Sequence, residues 1–385
     1  MANILYKYLH DGQHPATGLL ESFRESADPE LHHVAFTYDL ALAALVFTRH
    51  HALEEAERLI DFYRSMPLPC PTTPDYNTAY QVRCCVPVLE SALQVGPLAW
   101  VAIALMRYAE ASGQLLYLQK AVALLNWVRR HVDHFHGGVV MGLNDPWMFR
   151  MSTENNWAYY AALRLAIPFL QDGPVREAFQ EEKEGVRRWL SRNERNRGEG
   201  DPVKALDVYT NALLVGPTAH LEDVVMGDRA ALATWAKNWL EELDALFRMP
   251  RVAGYDYTDA QEAARAGRAR ASWLEGTEQV VLACQTWAPF FETHGDSRYA
   301  FELLRRASLS HAHVMRCSLL IGNAVAIPNT DALEPLKTFS DGWYARPWTE
   351  PALNGTTWAY FVEMGFNPLT SSLPHVPASS PCLKV

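Results

Sequence analysis

Apolar stretches of helical length alternate along this chain between two kinds. Residues 35–46 are small and apolar around almost the whole circumference of a helix, which is typical of a helix buried on every side. Residues 52–64, which follow, place Glu54, Arg58 and Asp61 on one face and apolar side chains on the other. The pattern therefore predicts a buried helix followed by a half-exposed one.

The same order recurs to the end of the chain. Further buried helices are predicted over residues 98–109, 157–169, 208–215, 278–290 and 356–364, and further amphipathic helices over residues 117–130, 175–190, 230–247 and 298–313. An inner ring of buried helices inside an outer ring of amphipathic ones explains this alternation. The last inner helix has no amphipathic helix after it, so its outer partner is either missing or supplied by residues 1–10.

Glycines and prolines mark the breaks between these helices. Helix ends and turns are predicted at Gly113, Gly173, Gly216 and Gly295. Loops are predicted over residues 67–74 and 250–270, and an irregular tail over residues 369–385. Residues 137–142 and 146–151 predict one small β-hairpin in an otherwise all-α chain.

Six polar clusters that contain an aromatic residue stand just ahead of the buried helices. They cover residues 36–39, 96–100, 152–157, 206–211, 272–278 and 354–358. Their spacing of about 50–80 residues is the length of a two-helix hairpin. Four of them carry a carboxylate: Asp39, Glu154, Asp207 and Glu275. Six hairpins closed in a ring would bring these helix starts around one cavity, so the spacing predicts an active site.

Composition narrows the class of ligand. The formal net charge of −10 argues against nucleic acid, which needs a basic surface. Twelve Trp, sixteen Tyr and fifteen Phe supply aromatic rings for a core or for stacking on a ligand. We therefore expect a small molecule or an oligosaccharide as the partner, with no nucleic acid and no membrane.

The chain is expected to form a single domain over residues 1–385 in the cytoplasm. Residues 1–10 lack the pattern of a signal peptide, and no run of 18 apolar residues suggests a membrane span. Six cysteines occur without a CxxC pair, which favours reduced thiols.

The sequence resembles the six-hairpin, (α/α)6-barrel proteins that include many glycoside hydrolases. The resemblance is carried by residues 35–42, 96–100, 152–156, 273–277 and 357–361 with 365–368, and it extends over residues 15–370. It implies an all-α (α/α)6 barrel. The same barrel also carries sugar epimerases, polysaccharide lyases and a few terpenoid dehydratases, so the fold alone does not select a reaction.

Glu154 is the predicted general acid. A capping box would place Glu three residues after its Ser or Thr, and here the offset is one or two. A partly apolar pocket would raise the pKa of this carboxyl and keep it protonated for glycosidic cleavage.

Asp39 is the predicted base, and Glu275 is the alternative. Asp39 is also suited to stabilise a helix N-terminus, but it lies in an apolar run, where a buried carboxylate needs a partner. Asp207 is a further catalytic candidate that would serve equally well as a helix N-cap.

Substrate contacts are predicted from side chains close to these carboxylates. They are Tyr38, Trp100, Asn155, Asn156, Trp157, Tyr209, Trp273, Glu278 and Trp358. The aromatic rings would stack on sugar faces, and the amides would bind hydroxyls. Glu278 is placed one turn after Glu275 and is expected on the same face.

No metal and no organic cofactor is expected. The histidines of the segment 131–136 stand at a predicted helix end without a second group of ligands. Glycine-rich phosphate loops are absent from the sequence.

The sequence therefore predicts a carbohydrate-active enzyme that hydrolyses a glycosidic bond. The alternative is an isomerase, epimerase, lyase or dehydratase that acts on a small molecule in specialised metabolism. A catalytically silent binding protein on the same barrel is a third interpretation. Two carboxylates facing each other would favour hydrolysis, and a His or Tyr pair beside a single carboxylate would favour the alternative.

Overall fold

The computed structural model describes residues 1–69, 76–88, 92–223 (side chains up to 216), 229–333 and 346–370. The helices, in chain order, are α1 (Ala2–Gly12), α2 (Thr37–Arg49), α3 (Leu53–Ser65), α4 (Val95–Ser112), α5 (Leu115–His131), α6 (Thr153–Ala166), α7 (Pro174–Asn193), α8 (Leu206–Asp223), α9 (Arg229–Phe247), α10 (Ala260–Arg265), α11 (Leu274–Thr293), α12 (Ser297–Arg316) and α13 (Leu353–Glu363). This is the predicted all-α architecture, with helix ends within a few residues of those expected except at α8.

Six helices form a closed inner ring. Each of α2, α4, α6, α8, α11 and α13 packs against the next, and α13 packs back against α2. Almost every residue of α4 and the first half of α11 is buried, in keeping with their uniformly apolar sequences. A fully buried Leu, Val or Phe contributes about 1.5–3 kcal/mol relative to its exposed state, so these helices supply much of the core energy.

The amphipathic helices form the outer ring. Helix α3 buries Ala56, Leu59, Ile60 and Tyr63 against α2 and α4. Likewise α5, α7, α9 and α12 pack on α4, α6, α8 and α11 respectively. The inner and outer layers of an (α/α)6 barrel are thus both present.

Helix α1 provides the outer partner of the last inner helix. It packs against α13 and also touches α2. The Tyr6 ring stacks on His50 with centroids 3.7 Å apart, and the His50 Nδ1 lies 3.1 Å from the Tyr360 hydroxyl. Of the two alternatives for the sixth outer position, the segment at the start of the chain is the correct one.

Short antiparallel strands join the helices. Strands β1 (Val34–Phe36) and β2 (Ala79–Gln81) pair with Ala35 opposite Tyr80. Strands β5 (Leu319–Ile321), β6 (Ala324–Pro328) and β7 (Pro351–Ala352) form a second sheet. β1 and β7 run directly into α2 and α13, so these sheets hold the starts of two inner helices.

The predicted β-hairpin is placed differently. Its strands are β3 (His134–Phe135) and β4 (Gly138–Val139), and Trp147–Phe149 forms a 3-10 helix. The left-handed backbone at His136 and Gly137 makes the tight turn, which moves the pairing toward the chain start.

Two other predictions of chain breaks were wrong. Gly216 lies inside α8, where its missing side chain makes room for Trp235, since an added Cβ would be 2.6 Å from that ring. The segment 250–270 contains α10, whose N-cap Asp259 accepts hydrogen bonds from Gln261 and Glu262. Gly113, in contrast, ends α4 in the left-handed conformation, as predicted.

Cysteines in the described residues are free thiols. Cys284 is buried, Cys84 is exposed, and Cys85 and Cys317 are half-buried. Cys70, Cys382 and most of the predicted tail lie outside the described residues.

Candidate active site

The starts of the inner helices converge at one end of the ring. The convergent side chains are Tyr38 of α2, Trp100 of α4, Glu154 of α6, Asp207 of α8, Glu275 of α11 and Trp358 of α13. Each stands within about two turns of the start of its helix, so this end of the barrel gathers chemistry that is far apart in the sequence.

Tyr38 connects two of these helices. Its hydroxyl donates to Oε1 of Glu275 at 2.7 Å and accepts from the indole Nε1 of Trp358 at 2.9 Å. The Tyr38 ring meets Trp100 edge-on at 5.5 Å, and Trp100 meets Trp358 in the same way at 6.2 Å. Three aromatic rings and one carboxyl therefore form a contact cluster that joins α2, α4, α11 and α13, in which Trp100 and Trp358 are buried.

Glu275 receives a second hydrogen bond from its own helix. The side-chain amide of Gln279 donates to the same Oε1 at 3.3 Å. Thr210 donates to the Gln279 Oε1 at 2.6 Å, which links α8 to the same group. Sequence analysis missed Gln279 and Thr210, although their polar side chains in an apolar helix pattern were a usable signal.

Three carboxyls act on one another electrostatically. Burial, followed by the charge of Asp207, raises the pKa of Glu154 to about 8. The pKa of Glu275 is raised to about 8, mainly by burial; the hydrogen bond from Tyr38 lowers it, and the charges of Asp39, Asp207 and Glu154 add to the increase. Like charges in a buried site cannot all ionise together, so at neutral pH this group retains protons.

Asp207 is the most acidic of the three. Burial raises its pKa to about 6, while the hydrogen bond from the backbone N–H of Val208 and the charge of Arg197 lower it. The Val208 nitrogen is 2.8 Å from Asp207 Oδ1. Arg197 reaches this position from the loop before α8, where Asp201 holds it at 2.8 Å. The Val208 N–H and the charge of Arg197 favour the ionised form of Asp207, whereas burial and the charge of Asp207 favour the protonated form of Glu154.

Asp39 is a fourth carboxyl, buried in the first turn of α2. Burial raises its pKa to about 7, and a hydrogen bond from Ser22 lowers it. Ser22 also accepts from the backbone N–H of Phe36 at 2.8 Å. Burial favours the neutral form of Asp39, because its partner is a hydroxyl rather than a cation.

Asn155 and Trp157 flank Glu154 on α6. Both are buried, and in the described part of the chain Asn155 Nδ2 and Trp157 Nε1 have no hydrogen-bond partner. Asn155 packs so closely on α4 that a Cβ added at Gly96 would lie 2.2 Å from its Oδ1. Trp157 also meets Tyr160 edge-on at 6.1 Å.

Trp273 forms the N-cap residue of α11. It is buried and meets Tyr257 edge-on at 5.4 Å. An added Cβ at Gly276 would lie 2.2 Å from the Trp273 ring, so this indole folds back over the first turn of its own helix. It stays a predicted substrate contact next to Glu275.

Three predicted substrate contacts point elsewhere. Asn156 is fully buried, and its amide exchanges hydrogen bonds with both backbone groups of Val139 at 2.9 Å. It joins α6 to the β3–β4 hairpin, so its hydrogen-bonding groups are not free for a sugar.

Tyr209 and Glu278 both face the outer ring. Tyr209 packs on Phe247 and donates to Glu242 at 3.0 Å. Glu278 pairs with His311 of α12 at 2.8 Å. The expectation that Glu278 shares the face of Glu275 is wrong, because three residues along a helix turn the side chain by about 300°, and Gln279, at four residues, lies closer to that face.

The histidines of the segment 131–136 have local partners. His131 stacks on Trp127, and its Nδ1 is 3.1 Å from the Trp127 carbonyl oxygen. His134 contacts Glu182, and His136 contacts Glu199. Within the described ranges no group of three or more His, Cys, Asp or Glu side chains is arranged to hold a metal ion.

Among the helices that the structure describes, none combines the length and the apolar character needed to span a membrane.

No family model matches this chain. No curated protein matches its sequence either. Solved structures, however, match over almost the whole length. Cellobiose 2-epimerase from Spirochaeta thermophila DSM 6192 has a TM-score of 0.66 at 13% identity, covering 95% of this chain and 94% of that one.

Two other solved structures are also similar to this chain over almost its whole length. A glycosidase variant in complex with glucose has a TM-score of 0.61 at 12% identity and covers 94% of this chain and 95% of its own. A sugar epimerase from a ruminal bacterium has a TM-score of 0.62 at 9% identity and covers 94% and 96%. This chain therefore has the six-hairpin, (α/α)6-barrel fold that glycosidases and sugar epimerases share.

Proposed function

We propose that this protein is a sugar-processing enzyme that hydrolyses a glycosidic bond. The observation that carries the proposal is the pairing of Glu154 and Asp207. These two half-buried carboxyls influence each other, and their surroundings raise the pKa of Glu154 more than that of Asp207. Two titratable groups driven apart in this way can serve as a general acid and a general base at the same pH.

The reaction assigns one proton transfer to each carboxyl. Glu154 gives its proton to the glycosidic oxygen as the bond from the anomeric carbon to that oxygen breaks, and the bonding electrons stay with the leaving oxygen. A water molecule attacks the anomeric carbon and loses a proton to Asp207. The hydrogen bond from the Val208 N–H and the positive charge of Arg197 favour the ionised form of Asp207 before this step.

The aromatic cluster beside Glu275 supports a sugar as the ligand. Tyr38 is half-buried and places a ring with a hydroxyl next to the Glu275 carboxyl, which suits the apolar and hydroxyl faces of a pyranose, while the buried Trp100 and Trp358 hold it in place. A glycosidase of the same fold binds glucose, which makes a hexose the first ligand to try.

Epimerisation is the second candidate because two of the structural neighbours are epimerases. A His or Tyr pair beside a single carboxyl would suit that reaction. Among the described histidines, none hydrogen-bonds to Glu154, Asp207 or Glu275. The group of several carboxyls supports hydrolysis instead.

The test is a panel of 4-nitrophenyl glycosides and unmodified disaccharides with product analysis. Glu154→Gln and Asp207→Asn should each lower kcat by about 10²–10⁴-fold, as expected for the loss of a general acid or base. Glu182→Gln is the matched control, because Glu182 contacts His134 and Tyr159 away from the site.

Wild-type kcat in a folded Glu154→Gln protein would exclude this assignment. Products epimerised at C2 without cleavage, with deuterium taken up from D2O, would establish the epimerase alternative.

A further inference from the structure

Glu275 has a role of its own in this site. We propose that Glu275 is a neutral hydrogen-bond donor to the bound sugar, with Tyr38 and Gln279 holding its Oε1 so that Oε2 carries the proton. This rests on the proposed function only in taking a sugar as the ligand. It separates Glu275 from the proton transfers assigned to Glu154 and Asp207.

Trp358 fixes the direction of the Tyr38 hydroxyl. An indole N–H can only donate, so the Trp358 Nε1 at 2.9 Å makes the Tyr38 oxygen an acceptor. The remaining phenolic hydrogen is then directed to Glu275 Oε1 at 2.7 Å. The indole thus determines which atom of Glu275 accepts.

Gln279 acts on the same oxygen. Its Nε2 donates to Glu275 Oε1 at 3.3 Å, and its Oε1 is occupied by the Thr210 hydroxyl at 2.6 Å. The Thr210 hydroxyl lies closer to the Gln279 Oε1 than to its other acceptor, the Asp207 carbonyl oxygen at 3.2 Å, so the amide oxygen accepts from Thr210 and the amide presents its N–H to Glu275. Two donors therefore meet at Oε1, and a proton on Glu275 can only reside on Oε2.

The surroundings of Glu275 favour the protonated form. Its side chain is 3% exposed, and Asp39, Asp207 and Glu154 each disfavour a negative charge on it. In the part of the chain that the structure describes, the side-chain hydrogen bonds of Glu275 reach Oε1. Oε2 is left for a ligand.

A neutral carboxyl at this point selects an acceptor oxygen on the substrate. A buried carboxylic acid that donates a hydrogen bond needs no ionisation during the reaction. Glutamine at position 275 keeps both features, an acceptor oxygen for Tyr38 and a donor in place of Oε2–H. Alanine keeps neither.

The experiment compares Glu275→Gln, Glu275→Ala and Tyr38→Phe with wild type on the 4-nitrophenyl glycoside that wild type cleaves. Glu275→Gln should retain kcat/KM within about 5-fold, whereas Glu275→Ala should lose about 10–100-fold, mostly through KM, as for a lost substrate hydrogen bond. Glucose affinity by calorimetry should follow the same order.

Infrared difference spectra give a readout that needs no substrate. The wild-type minus Glu275→Gln spectrum should contain a protonated carboxyl band at pH 7, and Tyr38→Phe should move its titration to higher pH because a donor to the ionised form is lost. A purely structural Tyr38 would leave that titration unchanged.

Two outcomes would overturn the inference while leaving hydrolysis intact. One is a carboxylate band for Glu275 at pH 7. The other is a folded Glu275→Gln protein whose kcat falls more than about 100-fold at unchanged KM, which is the signature of an acid–base residue or nucleophile. If wild type cleaves no glycoside and binds no glucose, the proposed function fails together with the inference.

Discussion

The indole nitrogen of Trp358 donates to the hydroxyl of Tyr38 across 2.9 Å, although 320 residues separate them in the chain. This bond joins the last inner helix, α13, to the first, α2. The ring of helices therefore closes at the candidate site, and the same bond that joins the ends of the ring orients the hydroxyl that contacts Glu275.

Activity should show a bell-shaped dependence on pH. Asp207 must be ionised, so kcat/KM should fall as the pH drops through about 6. Glu154 must be protonated, so kcat/KM should fall as the pH rises through about 8. Initial rates at low substrate concentration report these groups in the free enzyme. A profile that is flat from pH 5 to pH 9 would contradict the assignment.

Removal of Arg197 should move only the acidic limb of that profile. The charge of Arg197 lowers the pKa of Asp207, so Arg197→Met should shift the limb to higher pH, by up to about one unit. The control is Arg188→Met, since Arg188 is an exposed residue on α7. An unchanged acidic limb in Arg197→Met would show that Asp207 does not govern it.

Gly96→Ala should weaken both stability and activity. The added Cβ would lie 2.2 Å from Asn155 Oδ1 and 2.7 Å from its Cγ, so the buried Asn155 side chain must shift next to Glu154. We expect a loss of about 1–3 kcal/mol in the free energy of unfolding and a lower kcat.

Gly185→Ala is the matched control for this substitution. Its Cβ would meet the backbone of Gly137 at an ordinary 3.5 Å in the middle of α7. Alanine should there stabilise the protein by about 0.5–1 kcal/mol through helix propensity. Urea unfolding of both variants would measure the contrast, and equal effects would refute it.

His311 should stabilise the protein in a pH-dependent manner. Its ring nitrogens lie 2.8 Å from Glu278 and 2.8 Å from Glu363, and although burial opposes it, the bonds to these carboxylates raise its pKa from 6.5 to about 9. A raised histidine pKa contributes stability that is complete below pH 6.5 and lost as the pH rises through about 9.

The net gain from His311 is reduced by Glu278. Burial raises the pKa of that carboxyl, which opposes part of the stabilisation. We expect His311→Gln to cost about 1–2 kcal/mol at pH 6 and much less at pH 10. Unfolding curves of wild type and His311→Gln at both values test this, and a difference independent of pH would contradict it.

The ring of helices could be predicted because the burial of a helix determines how apolar and charged residues are distributed around it. Helix α2 is apolar on every side because it lies between neighbours in the inner ring, whereas α3 has one charged face because one side meets solvent. The recurrence of this contrast is enough to predict the layers without any knowledge of contacts.

The directions of side chains at the helix starts could not be predicted in the same way. Successive residues of a helix point about 100° apart. Asp207 therefore faces the other carboxyl side chains of the site, whereas Tyr209 faces Glu242 of the outer helix. An error of one residue in the assumed face exchanges a ligand contact for a core contact. For this reason the sequence predicts Tyr209 and Glu278 as substrate contacts and does not predict Gln279.

Contacts between helices that are distant in the chain also could not be predicted from a single sequence. The hydrogen bond from Tyr38 to Glu275 spans 237 residues, and the register of two inner helices that fixes it depends on the closed ring. The sequence does indicate that these residues belong to one cavity, but the choice of donor and acceptor follows only from the positions of Trp358 and Gln279.

The pairing of α1 with α13 has a consequence for synthesis of the protein in the cell. Helix α1 is synthesised well before α13, so its apolar residues Leu5, Tyr8 and Leu9 have no α13 to pack against until Leu353–Glu363 has emerged. A nascent chain therefore holds an open ring with two unsatisfied edges, and chaperones that bind apolar segments would find one in α1 until α13 is made.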